Sequence, residues 1–541
     1  MASSRPGGRD RSLLGIETEY ALAGFTSSGE AFPHTAAVQL LMDAACRNLT
    51  HLPGLGGSAR AGRYDLFLEN GSRFYLDHGA HPELSTPECT DPLEVVRYTL
   101  AGERMLRNLA TAVERQEPGL DRLCLFKSNV DYSGVGTTWG CHESYLLKRA
   151  PATIAEALIP HLVSRVLYTG AGGFNPFAPG ISFTLSPRAW HLEHTMSPES
   201  THNRGIFHTK NESLSARGYH RLHILCGESL CSERAMWLKL GSTALVVTLI
   251  DHGLEPGANL KLCSPVEAMR SFVSDPRARH KVATEDGRCF SALDIQRQYL
   301  ERVEENLSRS FMPPWAPAVC REWRETLELL GGSPGWLSRR LDWAIKLSFY
   351  ERWIEKRGFT METLEAWNDI LENVGAAAPM AAVASLPLEE LLEPNGVLRG
   401  IREKIEPLVR ARGFSWEQLG DLIKLRLELF ELDVRFAEVG ERGLFRVLAD
   451  AGALDHQVPG MRPVEEAMVE PPEGSRAFLR GRIIRRLADN PGRYQCAWHG
   501  VLDVETNRMV SLRNPFQKKE LWRKTLTNPL RSRNAVLPLR E

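Results

Sequence analysis

The 541-residue sequence predicts an α+β protein, and three observations predict it. From Leu13 to about Gly241, short β-branched and aromatic runs alternate with helical stretches. From about Met236 onward, apolar residues recur mostly at helical spacing. Apolar residues make up 43% and charged residues 25%, an ordinary globular balance that excludes a largely disordered or collagen-like chain.

Residues 1–12 are Gly-, Ser- and Arg-rich with nothing to bury, and are expected to be a disordered leader. Strands are expected at Leu13–Tyr20, Tyr64–Glu69, Phe74–Asp77 and Leu123–Asn129, and a helix at Pro151–Thr169. The Gly- and Pro-rich run Gly170–Gly180 reads as a loop. Further helices are expected at Ser291–Leu307, Gly335–Lys356 and Ser415–Val439. An Ala/Pro-interrupted, Leu- and Glu-rich stretch at about 360–412 reads as a helical insertion or a flexible arm. Pro471-Pro472 is expected to open a small C-terminal domain, 471–541, after a large domain spanning 13–470.

The 66 basic and 67 acidic side chains leave a net charge of −1, so no global charge draws the chain to nucleic acid or anionic lipid. The longest apolar stretch, Ala244–Ile250, falls far below the roughly 20 residues needed to span a bilayer. Ten cysteines occur without a CxxC pair, which favours reduced thiols and a cytoplasmic setting over a metal site at Cys226 and Cys231. P-loop, dinucleotide, HExxH and GxSxG motifs are absent.

The chemistry gathers in YDLFLENGSRFYLDHGAHPELSTPE. Two alternating runs meet at Asn70-Gly71, a two-residue hairpin signal. Period-two alternation then puts Arg73, Tyr75 and Asp77 on one face. Two readings stand: a solvated, salt-bridging strand, or one wall of a site. His78, His81, Glu83 and Glu88 follow at once, and such a density of oxygen donors suits Mg²⁺. In GIETEY, Glu17 and Glu19 share a strand face about 7 Å apart. They are either two solvated glutamates or a pair whose repulsion a divalent cation relieves. In NVDYSGVGTTWGCHESYLLKR the Gly and Thr residues can present N–H groups to a phosphate. His142 there, and His223 in YHRLHIL, read either as hydrogen-bonded core histidines or as ligands.

These blocks, with LKLGSTALVV, SALDIQRQYLERV, LDWAIK, the Pro471–Gly481 stretch and AWHGVLD, resemble the Pup ligase and Pup deamidase/depupylase family over roughly Leu13 to Phe516, apart from the stretch near 360–412. The resemblance implies a glutamine-synthetase-like fold: a curved antiparallel sheet cradling ATP and Mg²⁺, flanked by helices, plus a small C-terminal domain. It implies partners too, a small Pup-like modifier and lysine-bearing protein targets. In the ligase, ATP activates the modifier's C-terminal glutamate as a glutamyl phosphate, and a target lysine then forms an isopeptide bond. The sister enzyme deamidates the modifier and cleaves that bond.

Position by position, the resemblance puts Asp77 at the catalytic aspartate, the base toward the incoming lysine. Glu17, Tyr75 and Glu83 match Mg²⁺ positions, and Arg73, Thr86 and Trp498 match nucleotide positions. Glu19, His142 and His223 fall in matching blocks as further metal or phosphate contacts.

The Asp-x-Gly-x-His-Pro-Glu spacing, Thr86, Glu88-Cys89 and Asn514-Pro515-Phe516 look more like the ligase branch, the leading expectation. The long segment between Tyr20 and Glu69 looks like the depupylase branch. One block departs from both: where the family reads T-R-D-E-P-H-A-D, this chain has Thr209 through Ala216, with Lys210 as the cation that replaces an arginine fork. That departure motivates a third expectation, a catalytically divergent nucleotide-binding relative. Between Arg513 and Arg533, seven Lys/Arg stand against Glu520 alone, a solvated face or a dock for an acidic modifier.

Overall fold

The fold was read from a computed structural model that describes residues 12–55, 64–77, 79–133, 136–178, 180–199, 203–209, 212–332, 334–364, 367–368, 370, 372, 406–517 and 536–538. The leader before Ser12, His78, Lys210, most of the 360–412 stretch and most of the basic tail lie outside the described residues.

The first half of the chain supplies the strands β1 (Leu14–Glu19), β2 (Ala21–Phe25), β3 (Ala31–Phe32), β4 (His51–Pro53), β5 (Asp65–Leu68), β6 (Arg73–Leu76) and β7 (Pro82–Ser85). They are followed by β8 (Arg122–Phe126), β9 (Cys141–Leu147), β10 (Gly173–Phe174), β11 (Phe183–Thr184), β12 (His194–Ser197), β13 (Gly205–His208) and β14 (His220–Ile224). Nine of them form one sheet in the order β12-β13-β14-β9-β1-β7-β6-β5-β4. Neighbours run antiparallel except β12 and β13, which are parallel, so the sheet is mixed at one edge rather than wholly antiparallel. The expected Leu13–Tyr20 strand ends at Glu19. Past the buried Tyr20, β2 leaves this sheet and pairs with β3 and β8.

Alternation decides which face of the sheet is dry. Leu14 and Ile16 on β1, Tyr145 and Leu147 on β9, and Leu222 and Ile224 on β14 all turn to one side. There they meet helices α2 (Pro92–Gln116), α3 (Ala155–Ser164) and α5 (Glu233–Asp251), with α4 (Val166–Thr169) beside them, whereas α1 (His34–Asn48) packs under Leu66, Leu68, Phe74 and Leu84. Helix α2 starts where Asp91 accepts from Leu93 N at 2.8 Å and Pro92 occupies the first turn. Helix α5 is buried on nearly every side from Ala235 to Ile250, which explains its apolar run. Among the described residues no helix is long and apolar enough to cross a membrane.

The later expected helices are present, with trimmed ends: Ala292–Glu304, Asp342–Lys356 after a 3₁₀ turn, and Trp416–Phe436. The expected Pro151–Thr169 helix is three pieces, a 3₁₀ turn at Pro151–Thr153 and then α3 and α4. A second core joins Phe174 and Tyr350 to Trp367, Ile370, Leu422 and Leu429. The C-terminal part is a helix, Ala477–Leu487, and a four-stranded sheet, Tyr494–Ala497, Gly500–Asp503, Arg508–Ser511 and Val536–Pro538. Its apolar face, including Phe478, Ile484 and Val501, packs on Leu52 and Phe67 of the large sheet. That contact carries Trp498 to the edge of the polar sheet face.

The β5–β6 turn differs from the two-residue expectation. Leu68 N donates to Ser72 O at 2.9 Å, which leaves Glu69, Asn70 and Gly71 as a three-residue loop. Only Gly71 has positive φ, at 86°; Asn70 instead uses its side chain, accepting from Ser72 N at 3.0 Å and donating to Ala467 O at 2.9 Å.

Candidate active site

Cross-strand register gathers the polar residues. One row crosses five strands as Phe67, Arg73, Ser85, Glu17 and His142; the next runs Asp65, Tyr75, Glu83, Glu19. His223, paired with Ser144 on β9, extends the first row's neighbourhood toward β14. Directly opposed residues in adjacent strands project to the same face, so these side chains share one surface.

Glu17 and Glu19 do lie on one face, but they separate into two donor groups. The first is Glu17, His142 and His223, with one ligand atom from each within 4.8 Å of the others. Glu17 Oε2 lies 3.4 Å from His223 Nε2 and 3.9 Å from His142 Nδ1. Arg221 Nη2 donates to the other oxygen, Oε1, at 2.6 Å. Burial opposes ionisation of Glu17, yet Arg221 and the two imidazoles outweigh it and hold the carboxyl well below the usual range. Burial, helped by the positive charges of Arg188 and Arg221 and by the partner imidazole, keeps His142 well below the usual histidine range. Burial and Arg221 lower His223 as well.

The second group is Glu19, Asp77 and Glu83, again with ligand oxygens within 4.8 Å. Glu19 accepts from Gly140 N at 2.7 Å, and burial raises its pKa despite the nearby Arg188. Glu83 is pushed well above the usual range by burial and then by the charges of Glu17 and Glu19. Tyr75, its cross-strand partner, is raised well above the usual phenol value by burial and Glu83, so it meets the site as a neutral phenol. Asp77 follows β6 directly. Its Oδ1 accepts from His81 N at 2.7 Å, and its Oδ2 lies 3.4 Å from His81 Nδ1, which steadies the tight Asp77–His81 turn.

The other residues singled out from the sequence sit around these groups. Arg73 is committed to Asp65 through two hydrogen bonds, 2.7 and 2.9 Å, and stacks over Tyr75 at 4.0 Å. Gly54 makes room for that carboxylate, because a Cβ there would lie 1.9 Å from Asp65 Oδ2. Thr86 is buried and accepts from Ile16 N at 3.0 Å. Trp498 meets Phe67 edge to face at 5.4 Å and carries Arg480 over its ring at 4.6 Å. A cleft of about 110 Å³ opens beside Glu17, lined by Gly15, Thr86, Ser144, Arg221 and Trp498, and by Leu214 from the departing block. Lys210 of that block is outside the described residues. Glu88 does not join the donors: Arg476 and Arg480 hold it as a structural ion pair. Glu143 is likewise turned away, buried in a pair with Arg165 on the helical side.

The sequence profile of the Pup-ligase protein family matches residues 12–372 and 406–502. The Pup--protein ligase of Nocardioides sp. strain JS614 is 30% identical over 518 residues, covering 94% of this chain and 97% of that protein. The chain belongs to the Pup-ligase family. Another relative is the Pup deamidase/depupylase of Mycolicibacterium smegmatis, 38% identical over 315 residues, or 57% of this chain and 62% of that one. Among solved structures, the ligase PafA in complex with Pup superposes with a TM-score of 0.70 at 23% identity, covering 96% of this chain and 92% of that one. PafA in complex with ADP gives 0.64 at 23% identity, with 92% and 94% covered. The large sheet, flanking helices and C-terminal part are thus the fold shared with PafA.

Within this family frame, the sequence reading missed the arginines. Arg188 is buried and donates to Thr138 Oγ1 at 3.0 Å and to Leu225 O at 3.2 Å, with Nη2 3.3 Å from His142 Nε2. Arg221 reaches Glu17 from β14. Arg221 was legible in principle: it alternates with His223 on a strand, so both must share a face. Arg188, on a 3₁₀ turn remote in sequence, left no such signal.

Proposed function

We propose that this chain is an ATP-dependent ligase joining the C-terminal glutamate of a Pup-like modifier to lysines of target proteins. The carrying observation is that two donor groups, Glu17–His142–His223 and Glu19–Asp77–Glu83, stand side by side next to a cleft containing Trp498. Ligase relatives aligned along nearly the whole chain supply the substrate class. Mg²⁺ fits the donors: Glu83 and Glu19 repel other carboxylates at close range, and His223 Nε2 is buried without a hydrogen bond although it faces Glu17. Bound there, the cation supplies charge neutralisation for the nucleotide phosphates. Glu17, Glu83, Glu19, His142 and His223 would hold it, with Tyr75 as a neutral oxygen beside Glu83. Thr86 and Trp498 would bound the nucleotide cleft, Arg73 would buttress it through Asp65 and Tyr75, and Lys210 would be a phosphate contact.

In this reading the modifier's γ-carboxylate takes the γ-phosphoryl group of ATP and ADP leaves. The lysine amine then attacks the acyl phosphate and expels phosphate, and Asp77 accepts the amine proton. His81 holds Asp77 in place for that transfer. Buried cysteines outside any disulfide, such as Cys141, Cys226 and Cys320, accord with a reducing, cytoplasmic setting.

The test incubates the chain with Mg·ATP, a modifier ending in glutamate and a lysine-bearing target; a conjugate is expected. Asp77→Asn should cut the conjugation rate about 10²- to 10⁴-fold with an unchanged melting curve. Conjugation at wild-type rate by that variant would remove Asp77 from its role. The 38% identity to a depupylase favours a second reading, hydrolysis of the same isopeptide bond. Ammonia release from a glutamine-ended modifier, without conjugation, would select it.

A further inference from the structure

Arg221 stands where two demands meet. Its Nη2 holds Glu17 Oε1 at 2.6 Å, while its Nε donates to Ser144 Oγ at 3.0 Å. The guanidinium is thereby pinned between β14, β9 and β1, on the wall of the cleft. The two oxygens of Glu17 are divided: Oε1 belongs to Arg221, and Oε2 faces the His142 and His223 nitrogens.

We propose that Arg221 makes divalent-cation binding at Glu17, His142 and His223 depend on an anionic, polyphosphate-bearing co-ligand. The inference rests on the reading above that these three residues hold a cation. A bare cation entering this group meets a carboxylate whose charge Arg221, 2.6 Å from Oε1, already neutralises. It also meets the positive guanidinium at close range, and like charges that near repel strongly in a partly buried site. A polyphosphate in the cleft reverses the balance. Its oxygens would offer negative charge to the cation and acceptors to the guanidinium, whose planar fork suits phosphate as well as carboxylate. Arg221 therefore penalises the cation alone and favours the cation that arrives with phosphate. Its role is positioning and selection; in this reading it does not touch the reacting carbonyl.

The competing view is that Arg221 only orients Glu17, in which case its removal weakens the metal site, as loss of a supporting partner does. The two views predict opposite signs. Binding of Mn²⁺ to the full chain, followed by the paramagnetic signal of the free ion without nucleotide, separates them. Arg221→Met and Arg221→Gln, which remove the charge, should bind Mn²⁺ about tenfold more tightly than wild type. Arg221→Lys, which keeps the charge, should stay within about twofold. The tightening of Mn²⁺ by ADP, normally within the roughly 5- to 150-fold span of coupled sites, should shrink in the two neutral variants. Neutral variants that retain the wild-type circular dichroism spectrum yet bind Mn²⁺ equally or more weakly would overturn the proposal. The titration contains neither modifier nor target, so its result does not depend on whether the chain ligates.

Discussion

Glu88 and Glu83 lie in one short segment and are both shielded from water, yet their surroundings drive them in opposite directions. Burial alone would raise Glu88, but Arg480 and Arg476 clamp it and its pKa falls to about 2. Burial raises Glu83, and Glu17 and Glu19 raise it further. Glu143 belongs with Glu88: Arg165 grips it at 2.6 and 2.9 Å and Tyr145 adds a hydrogen bond at 2.6 Å. The contrast separates carboxylates that hold the fold together from carboxylates that the fold holds in readiness. A buried ion pair satisfied from within has no need of a ligand. A group of carboxylates that repel one another is stable only because the rest of the sheet forces it, and such strain marks a binding site.

The comparison breaks most visibly at Arg165. Arg165→Met leaves Glu143 charged without its partner and should cost about 3–5 kcal/mol, read as a shift in the urea midpoint. A loss well under 1 kcal/mol would mean that Glu143 belongs to the other class.

Glu88→Gln and Glu83→Gln should move stability in opposite directions. A lowered folded-state pKa gives stability that is present above the unfolded value of 4.5 and lost as pH falls toward about 2. The shift corresponds to about 3 kcal/mol, so wild type should lose stability over that acid window more steeply than Glu88→Gln. For Glu83 the sign reverses. Its folded form holds a proton more tightly than the unfolded chain, so ionising it costs stability as pH rises. Glu83→Gln should therefore melt higher in EDTA at pH 7, by on the order of 1 kcal/mol, and should lose conjugation. Destabilisation by both substitutions would collapse the distinction.

An effect of similar size to that at Glu83 is expected at the turn that joins β5 to β6. Gly71 has φ of 86°, and an added Cβ would lie 3.2 Å from Ala477 Cβ and Pro87 Cβ. Gly71→Ala should cost about 1 kcal/mol or slightly more, measured by thermal melting, with the two carboxylate and histidine groups unaltered.

Much of the site was legible because strand alternation is local. Glu17 and Glu19 share a face, as do Arg73 and Tyr75, and the hairpin between β5 and β6 falls where Asn70-Gly71 marks it. The turn type was not legible, because Asn70 is drawn to Ala467 O, almost 400 residues downstream in the chain. Nor was the fate of neighbours such as His142 and Glu143, since alternation says only that they part, not which one faces the helices. The role of Glu88 was hidden for a similar reason: its two arginines come from the C-terminal helix and its approach.

The residues alone determined the α+β class, the strand faces that carry the donors and, through long ordered blocks, the resemblance to the Pup-ligase family. Tertiary structure decided how those donors were grouped. Cross-strand register sent Glu17 to His142 and His223 and Glu19 to Asp77 and Glu83, and it brought Arg221 onto Glu17. The physical reason is that alternation along one strand depends on backbone geometry between near neighbours. The charge partners of a buried carboxylate come instead from strands and helices that only folding brings within a few ångströms.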